Sequence, residues 1–191
     1  VAVWFTDSSP TAEIDKEVLE ILQNTVEKLI AAGLEIHKKA RPEIHLWESI
    51  HLWRNIIDQM IAGEWLLYDS FIASQKEQQA MWAAFFERYD VLLAPVSLTA
   101  AFPHDHKEPL IYRRLVVNGK QRPYADNLAW TAMAIVSGLP ATVAPVGLSK
   151  SGLPVGIQII GARFEDRTTI AFARGLSEVV GGFVAPPGYA N

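Results

Sequence analysis

Apolar positions lay out most of the elements of this chain before any motif is needed. Residues 1–5 form a short unbroken apolar run suited to a buried strand, and residues 6–10 are a cluster of turn formers. Ile14, Val18, Ile21, Leu22, Thr25, Leu29 and Ile30 then recur at three- and four-residue intervals, which predicts an amphipathic helix ended by Gly33. Glu13, Asp15 and Glu17 suit the positive end of that helix dipole better than they suit a catalytic carboxylate pair. Residues 34–37 predict a return strand, so the chain opens β-α-β. Residues 43–89 read as mostly helical, with Leu46, Ile50, Trp53, Ile57, Met60 and Ile61 on one apolar face, an interruption at Gly63, and a further helix carrying Trp82, Phe85 and Phe86. Residues 90–95 predict a fully buried strand that ends in proline. Residues 96–123 predict a long surface loop, pinched into a small hairpin (115–122) by Asn118-Gly119. A helix over 124–137, a buried strand over 141–146, a turn at 149–152 and a second buried strand over 155–160 follow. A last helix, 167–180, is capped by Asp166 and stopped by Gly181-Gly182.

Strands alternating with helices, with no linker between them, predict an α/β fold with a mixed sheet flanked by helices. Its parts are a β-α-β opening (1–42), a helical insert (43–89) and C-terminal strands and helices (90–191). The 191 residues suit one domain or one large part of a bigger one, and a chain of this size buries roughly 70% of its unfolded surface. Half the residues are hydrophobic and a fifth are charged, which is a globular composition. Seventeen basic against 21 acidic residues, with no basic run longer than a pair, argue against nucleic acid as a partner. Absent cysteine removes disulfide and thiolate chemistry and is in keeping with a cytoplasmic origin. The most apolar run, 131–148, is broken by Ser137, Gly138, Pro140 and Pro145, so it reads as core and no membrane partner is expected. The chain begins with Val and reads as a fragment or processed product.

Candidate chemistry is sparse. His104-Asp105-His106 is the one dense cluster of metal-type ligands, and a metal hydrolase using His104 and His106 would need a further ligand such as His37, His45 or His51. The tripeptide reads better as a polar loop tip, so no metal or other cofactor is expected. His45 and His51, six residues apart, do not share a helical face. Gly147-Leu148-Ser149-Lys150-Ser151 breaks the G-x-S-x-G elbow at its last position, and a solvated turn would not lower the lysine pKa enough to make it a base. No glycine-rich phosphate loop is present. The aromatic residues of 43–89 are assigned mostly to helix packing.

The wording around the Gly-Leu-Pro turns is more specific than its pattern. Ser137-Gly138-Leu139-Pro140-Ala141-Thr142, Pro145-Val146-Gly147 and Gly152-Leu153-Pro154-Val155-Gly156-Ile157-Gln158 resemble the C-terminal part of the amidase signature family. Tyr89-Asp90-Val91-Leu92-Leu93-Ala94-Pro95 is similar to the strand beyond that family's helical insert, Asp166-Arg167-Thr168-Thr169 to the start of its final helix, and residues 1–35 to the β-α-β segment after its signature region. The resemblance implies hydrolysis of carboxamides to carboxylate and ammonia or amine by a Ser–Ser–Lys triad, carried upstream in a Gly/Ser-rich core of the GGSSGGS type. Such a core supplies both an activated nucleophile and oxyanion donors. No Gly-Gly-Ser-Ser run occurs here, so no catalytic residue maps onto this chain.

What the resemblance implies is therefore a C-terminal, substrate-shaping region that needs the N-terminal catalytic segment of the same protein and is inactive alone. The alternative is a non-catalytic binding or regulatory module derived from that region. In the glutamine-using branch of the family, an acidic residue three before a Thr grips the substrate ammonium. The position matching it, three before Thr131, is Leu128, whose apolar side chain cannot offset the desolvation of a cation. The resemblance thus favours a small-molecule amide that is neutral, apolar or aromatic. Leu128, Trp130 and Thr131 are the expected substrate-binding residues. A sheet shared with a missing half would expose an edge, so the isolated chain is expected to self-associate.

Overall fold

The computed structural model describes residues 1–63 and 68–189. Among them, four strands form one mixed sheet in the order β1 (Ala2–Val3), β2 (Val91–Pro95), β6 (Pro154–Gly161), β5 (Ala141–Leu148). β1 and β2 are parallel, and β6 runs antiparallel to both β2 and β5. β2 is buried at every position, as its uninterrupted Val-Leu-Leu-Ala-Pro predicts for a central strand covered on both faces. The register puts Ala94, Gln158 and Val143 side by side, so these three point to one face of the sheet.

The two faces are covered unequally. On one lie α1 (Lys16–Ala31) and α5 (Asp166–Val180): the Thr142 and Thr169 hydroxyls bond at 2.8 Å, and Gly147 leaves room for the Ile21 side chain. On the other lies α4 (Ala129–Ser137), joined to the sheet by Gln158 Nε2, which donates to the Trp130 carbonyl at 3.3 Å. Outside α4 pack α2 (Leu46–Ala62) and α3 (Tyr68–Phe86). Here a row of glutamines finishes the end of α4. Gln75 Nε2 donates to the Val136 carbonyl at 2.7 Å and Gln79 Nε2 to the Ser137 carbonyl at 3.1 Å, while Gln78 Oε1 accepts from the Ser49 and Ser137 hydroxyls. These carbonyls have no partner within the helix, so α3 satisfies what α4 cannot. Gly138 then turns the chain at φ +63° into the Leu139-Pro140 entry of β5.

Several expectations need correction. The strand expected over 34–37 is reduced to a single bridge, His37 with Ala2, because Gly33 releases the chain only just before it meets β1. The helix expected over 124–137 is a 3-10 turn to Leu128 before the α-helix starts at Ala129; Pro123 and the tethers on Asp126 hold the first residues tighter than an α-helix. β5 is not buried. It is an edge strand whose burial alternates, with Ala144 and Val146 inside and Val143 half exposed. Glu165, not Asp166, occupies the cap position of α5, without a side-chain bond to the helix backbone. Met60 and Ile61 are exposed, so the apolar face of α2 runs past its packed part. The expected hairpin is present as β3 (Arg114–Val117) and β4 (Lys120–Pro123), with Asn118 and Gly119 both at positive φ between them. Residues 64–67 of the expected helical insert lie outside the described residues.

Candidate functional site

α4 has no charged residue, and seven of its nine residues are buried. A helix apolar all round belongs in an interior. One stripe remains uncovered: Leu128 and Thr131 are half-buried and Ile135 is 56% exposed, at the three- and four-residue spacing that aligns them on one face. Val143, 54% exposed, lies on the same face of the sheet, because its partner Gln158 is the residue that reaches α4. α4 therefore covers β6 and leaves an apolar step down to β5.

The start of this helix is fixed from four directions. The Asp126 side chain, 3% exposed, accepts from Arg54 Nη2 of α2 at 3.2 Å and from Arg122 of β4 through Nε at 3.2 Å and Nη2 at 2.8 Å. Arg122 also donates to the Pro10 carbonyl, and Trp130 Nε1 to the Ala12 carbonyl at 3.0 Å. Asn118, at the tip of the hairpin, bonds Glu13, Ile14, Asp15 and Lys16. Asp15 caps α1 through the Glu17 N–H, so the acidic start of that helix serves both the helix and the hairpin.

Beside the start of α4, past the end of β2, is a concavity of about 320 Å³. Val18, Val96, Ser97, Thr99 to Phe102, Asn127, Val143 and the first residues of β6 line it, and none of these is charged. It lies past the carboxyl end of β2 and beside the amino end of the antiparallel β6. The pairing of β5 with β6 slips by one residue between Pro145 and Gly147, a bulge beside the same hollow.

Of the expected substrate-binding residues, Leu128 and Thr131 lie on the open stripe, and the Thr131 hydroxyl donates back to the Leu128 carbonyl. Trp130 is fully buried, edge-on to Trp4 at 6.0 Å, on the inner side of the helix. Ile135, Asn127 and Val143 join the site without having been singled out from sequence. His104 and His106 stack on an exposed loop, and Asp105 between them accepts from the Lys107 and Glu108 N–H groups, which hold its carboxyl below the usual range. Among the described residues no three His, Asp or Glu side chains gather as a metal site would require. Ser149 is buried rather than solvated, bonded to Ser151 and to the Leu153 N–H, whereas Lys150 is exposed. No described helix is long and apolar enough to cross a membrane.

Comparison with known proteins places this geometry in context. The family model described as Amidase matches residues 47–170. The chain is 32% identical over 126 residues to a glutamyl-tRNA(Gln) amidotransferase subunit from Zymomonas mobilis, covering 63% of this chain and 23% of that one. It is 43% identical over 65 residues to human fatty-acid amide hydrolase 2, covering 34% of this chain and 12% of that one. The crystal structure of the corresponding glutamyl-tRNA(Gln) amidotransferase subunit from Thermotoga maritima superposes with a TM-score of 0.65 at 21% identity, over 93% of this chain and 42% of that one. The chain thus spans less than half the length of the relatives it matches.

Proposed function

We propose, since this chain belongs to the amidase family, that it is the C-terminal, substrate-shaping part of an enzyme that hydrolyses neutral carboxamides to carboxylate and ammonia or amine. The Ser/Ser/Lys chemistry belongs to an N-terminal catalytic segment of the same protein, and the chain alone is inactive. Three things support this. The wording of the Gly-Leu-Pro region resembles the family's C-terminal part. The chain spans 42% of a matched fold. The apolar step between α4 and β5 is an unfinished wall, and a wall of this kind sets which acyl or amine group fits. A cytoplasmic location accompanies the reading, on the absence of cysteine.

The observation that carries the substrate class is the absence of charge. Leu128 just before the helix, Thr131 and Ile135 on it, and every residue lining the adjoining concavity are uncharged. A substrate ammonium would lose its hydration there with nothing to replace it. The relatives named for glutamyl-tRNA amidotransfer give a direct comparison. The protein from its native source should have an intact mass greater than 191 residues account for. Its kcat/KM for a neutral anilide should exceed that for glutamine by about a hundredfold, the cost of a cation left unpaired in an apolar wall. Preference for glutamine would overturn the reading of Leu128.

A further inference from the structure

The concavity beside α4 contains a polar group that the fold has oriented and left unused. Asn127 Oδ1 accepts from the Leu98 backbone N–H at 3.0 Å and lies 2.7 Å from the Ser97 hydroxyl, whose single hydrogen is shared between it and the Thr99 carbonyl. A backbone N–H can only donate, so the atom facing Leu98 is the amide oxygen, and the orientation of the carboxamide is settled by chemistry. Its nitrogen makes no hydrogen bond to a described residue. Asn127 lines the concavity, and its two N–H donors are the polar capacity it has left to offer there. The other polar side chains of the lining are occupied: Ser97 donates to Asn127 or the Thr99 carbonyl, and the Thr99 hydroxyl donates to the Ala100 carbonyl.

The rest of the wall is apolar and closely shaped. Val18, Val96, Phe102, Val143 and Val155 supply its sides. Gly156 forms part of the floor, where an added Cβ would stand 3.0 Å from Val143 Cγ1 and 3.7 Å from Val96 Cγ2. A side chain at that position would crowd Val143. Its volume is at the lower end of the range for small-molecule sites.

From this geometry we infer that the concavity is a binding subsite for a neutral, apolar-bodied ligand carrying one hydrogen-bond acceptor, and that Asn127 Nδ2 donates to that acceptor. An aryl carboxamide fits the description: the ring fills the Val and Phe wall and the carbonyl oxygen meets the amide N–H groups. Carboxylates and ammonium ions do not, since neither finds a counter-charge. Naming the ligand as a substrate rests on the amidase reading; its binding does not.

The test is a titration of the protein from its native source, cold enough that turnover is negligible, with acetanilide and with benzoate, followed by backbone amide NMR. Acetanilide should shift the resonances of residues 97–102 and 156 in a saturable way, and benzoate should bind at least about tenfold more weakly. Asn127→Asp keeps an oxygen for Leu98 and Ser97 but removes the donors. It should weaken acetanilide about tenfold while the loop resonances of Ser97 and Leu98 stay in place. Gly156→Ala, which raises the floor, should weaken acetanilide without favouring benzoate. Equal binding of the two ligands, no saturable response, or wild-type affinity in Asn127→Asp would overturn the subsite. Saturable anilide binding alongside a native enzyme that hydrolyses no amide would leave the subsite standing and remove the amidase reading.

Discussion

With one carboxylate held by two guanidinium groups and almost no exposure, Asp126 is the residue whose loss should be felt furthest. Removing it leaves Arg122, itself mostly buried, facing the Pro10 carbonyl without its main counter-charge. Breaking a buried pair from one side costs more than the pair is worth intact. Asp126→Ala should therefore lower stability by about 3 kcal/mol in urea unfolding. Arg54→Ala should cost only about 1 kcal/mol, because that side chain keeps more than a third of its surface in water. Equal effects would mean that the two arginines are not the unequal partners their burial implies. Nothing in the local sequence distinguishes Asp126 from a turn aspartate. Its partners come from 72 residues before it and from four before it, and only the folded chain brings Arg54 near. Asn127 was hidden for the same reason, since its anchor is the Ser97-Leu98 loop.

Elements followed the hydrophobic pattern where one physical cause was at work. α1, β2, the Asn-Gly hairpin and β6 stand within a few residues of where periodicity, β-propensity and turn chemistry put them. The pattern misled at β5. Ala-Thr-Val-Ala-Pro-Val-Gly-Leu is apolar on both sides and so reads as buried, yet one side is open. An apolar strand with an open face is what a surface awaiting a cover looks like from sequence, and periodicity has no means of separating the two. Resemblance singled out Leu128 and Thr131, which lie on the open stripe; it did not single out Ile135, because an apolar residue in an apolar helix carries no signal of exposure. The turn between α4 and β5 is the joint on which this surface depends. Gly138→Ala places a Cβ at φ +63° and should cost about 1–2 kcal/mol, read as a shift in the urea midpoint. A shift near zero would mean that the turn relaxes out of its left-handed conformation at no cost.

At the scale of the whole molecule, the sheet ends in β1 on one side, bridged by His37, and in β5 on the other. Among the described residues no strand pairs with the outer edge of β5, and Val143, Leu148 and Ile135 remain exposed near it or on the helix that shares its face. Apolar edges of this kind recruit another chain. The isolated polypeptide should self-associate at tens of micromolar in light scattering, and adding a charge at the edge by Val143→Lys should shift it toward monomer. A monodisperse wild-type monomer would mean that the edge is stable in water. The same asymmetry underlies the proposed function, in which these residues would shape a hollow for an amide and an N-terminal segment would supply bond cleavage. The most direct measurement is aniline release from acetanilide by the purified 191-residue chain, set beside the protein from its native source at equal concentration. The account predicts release by the native protein and none by the chain; hydrolysis by the chain itself, abolished when the chain is removed by immunodepletion, would contradict it.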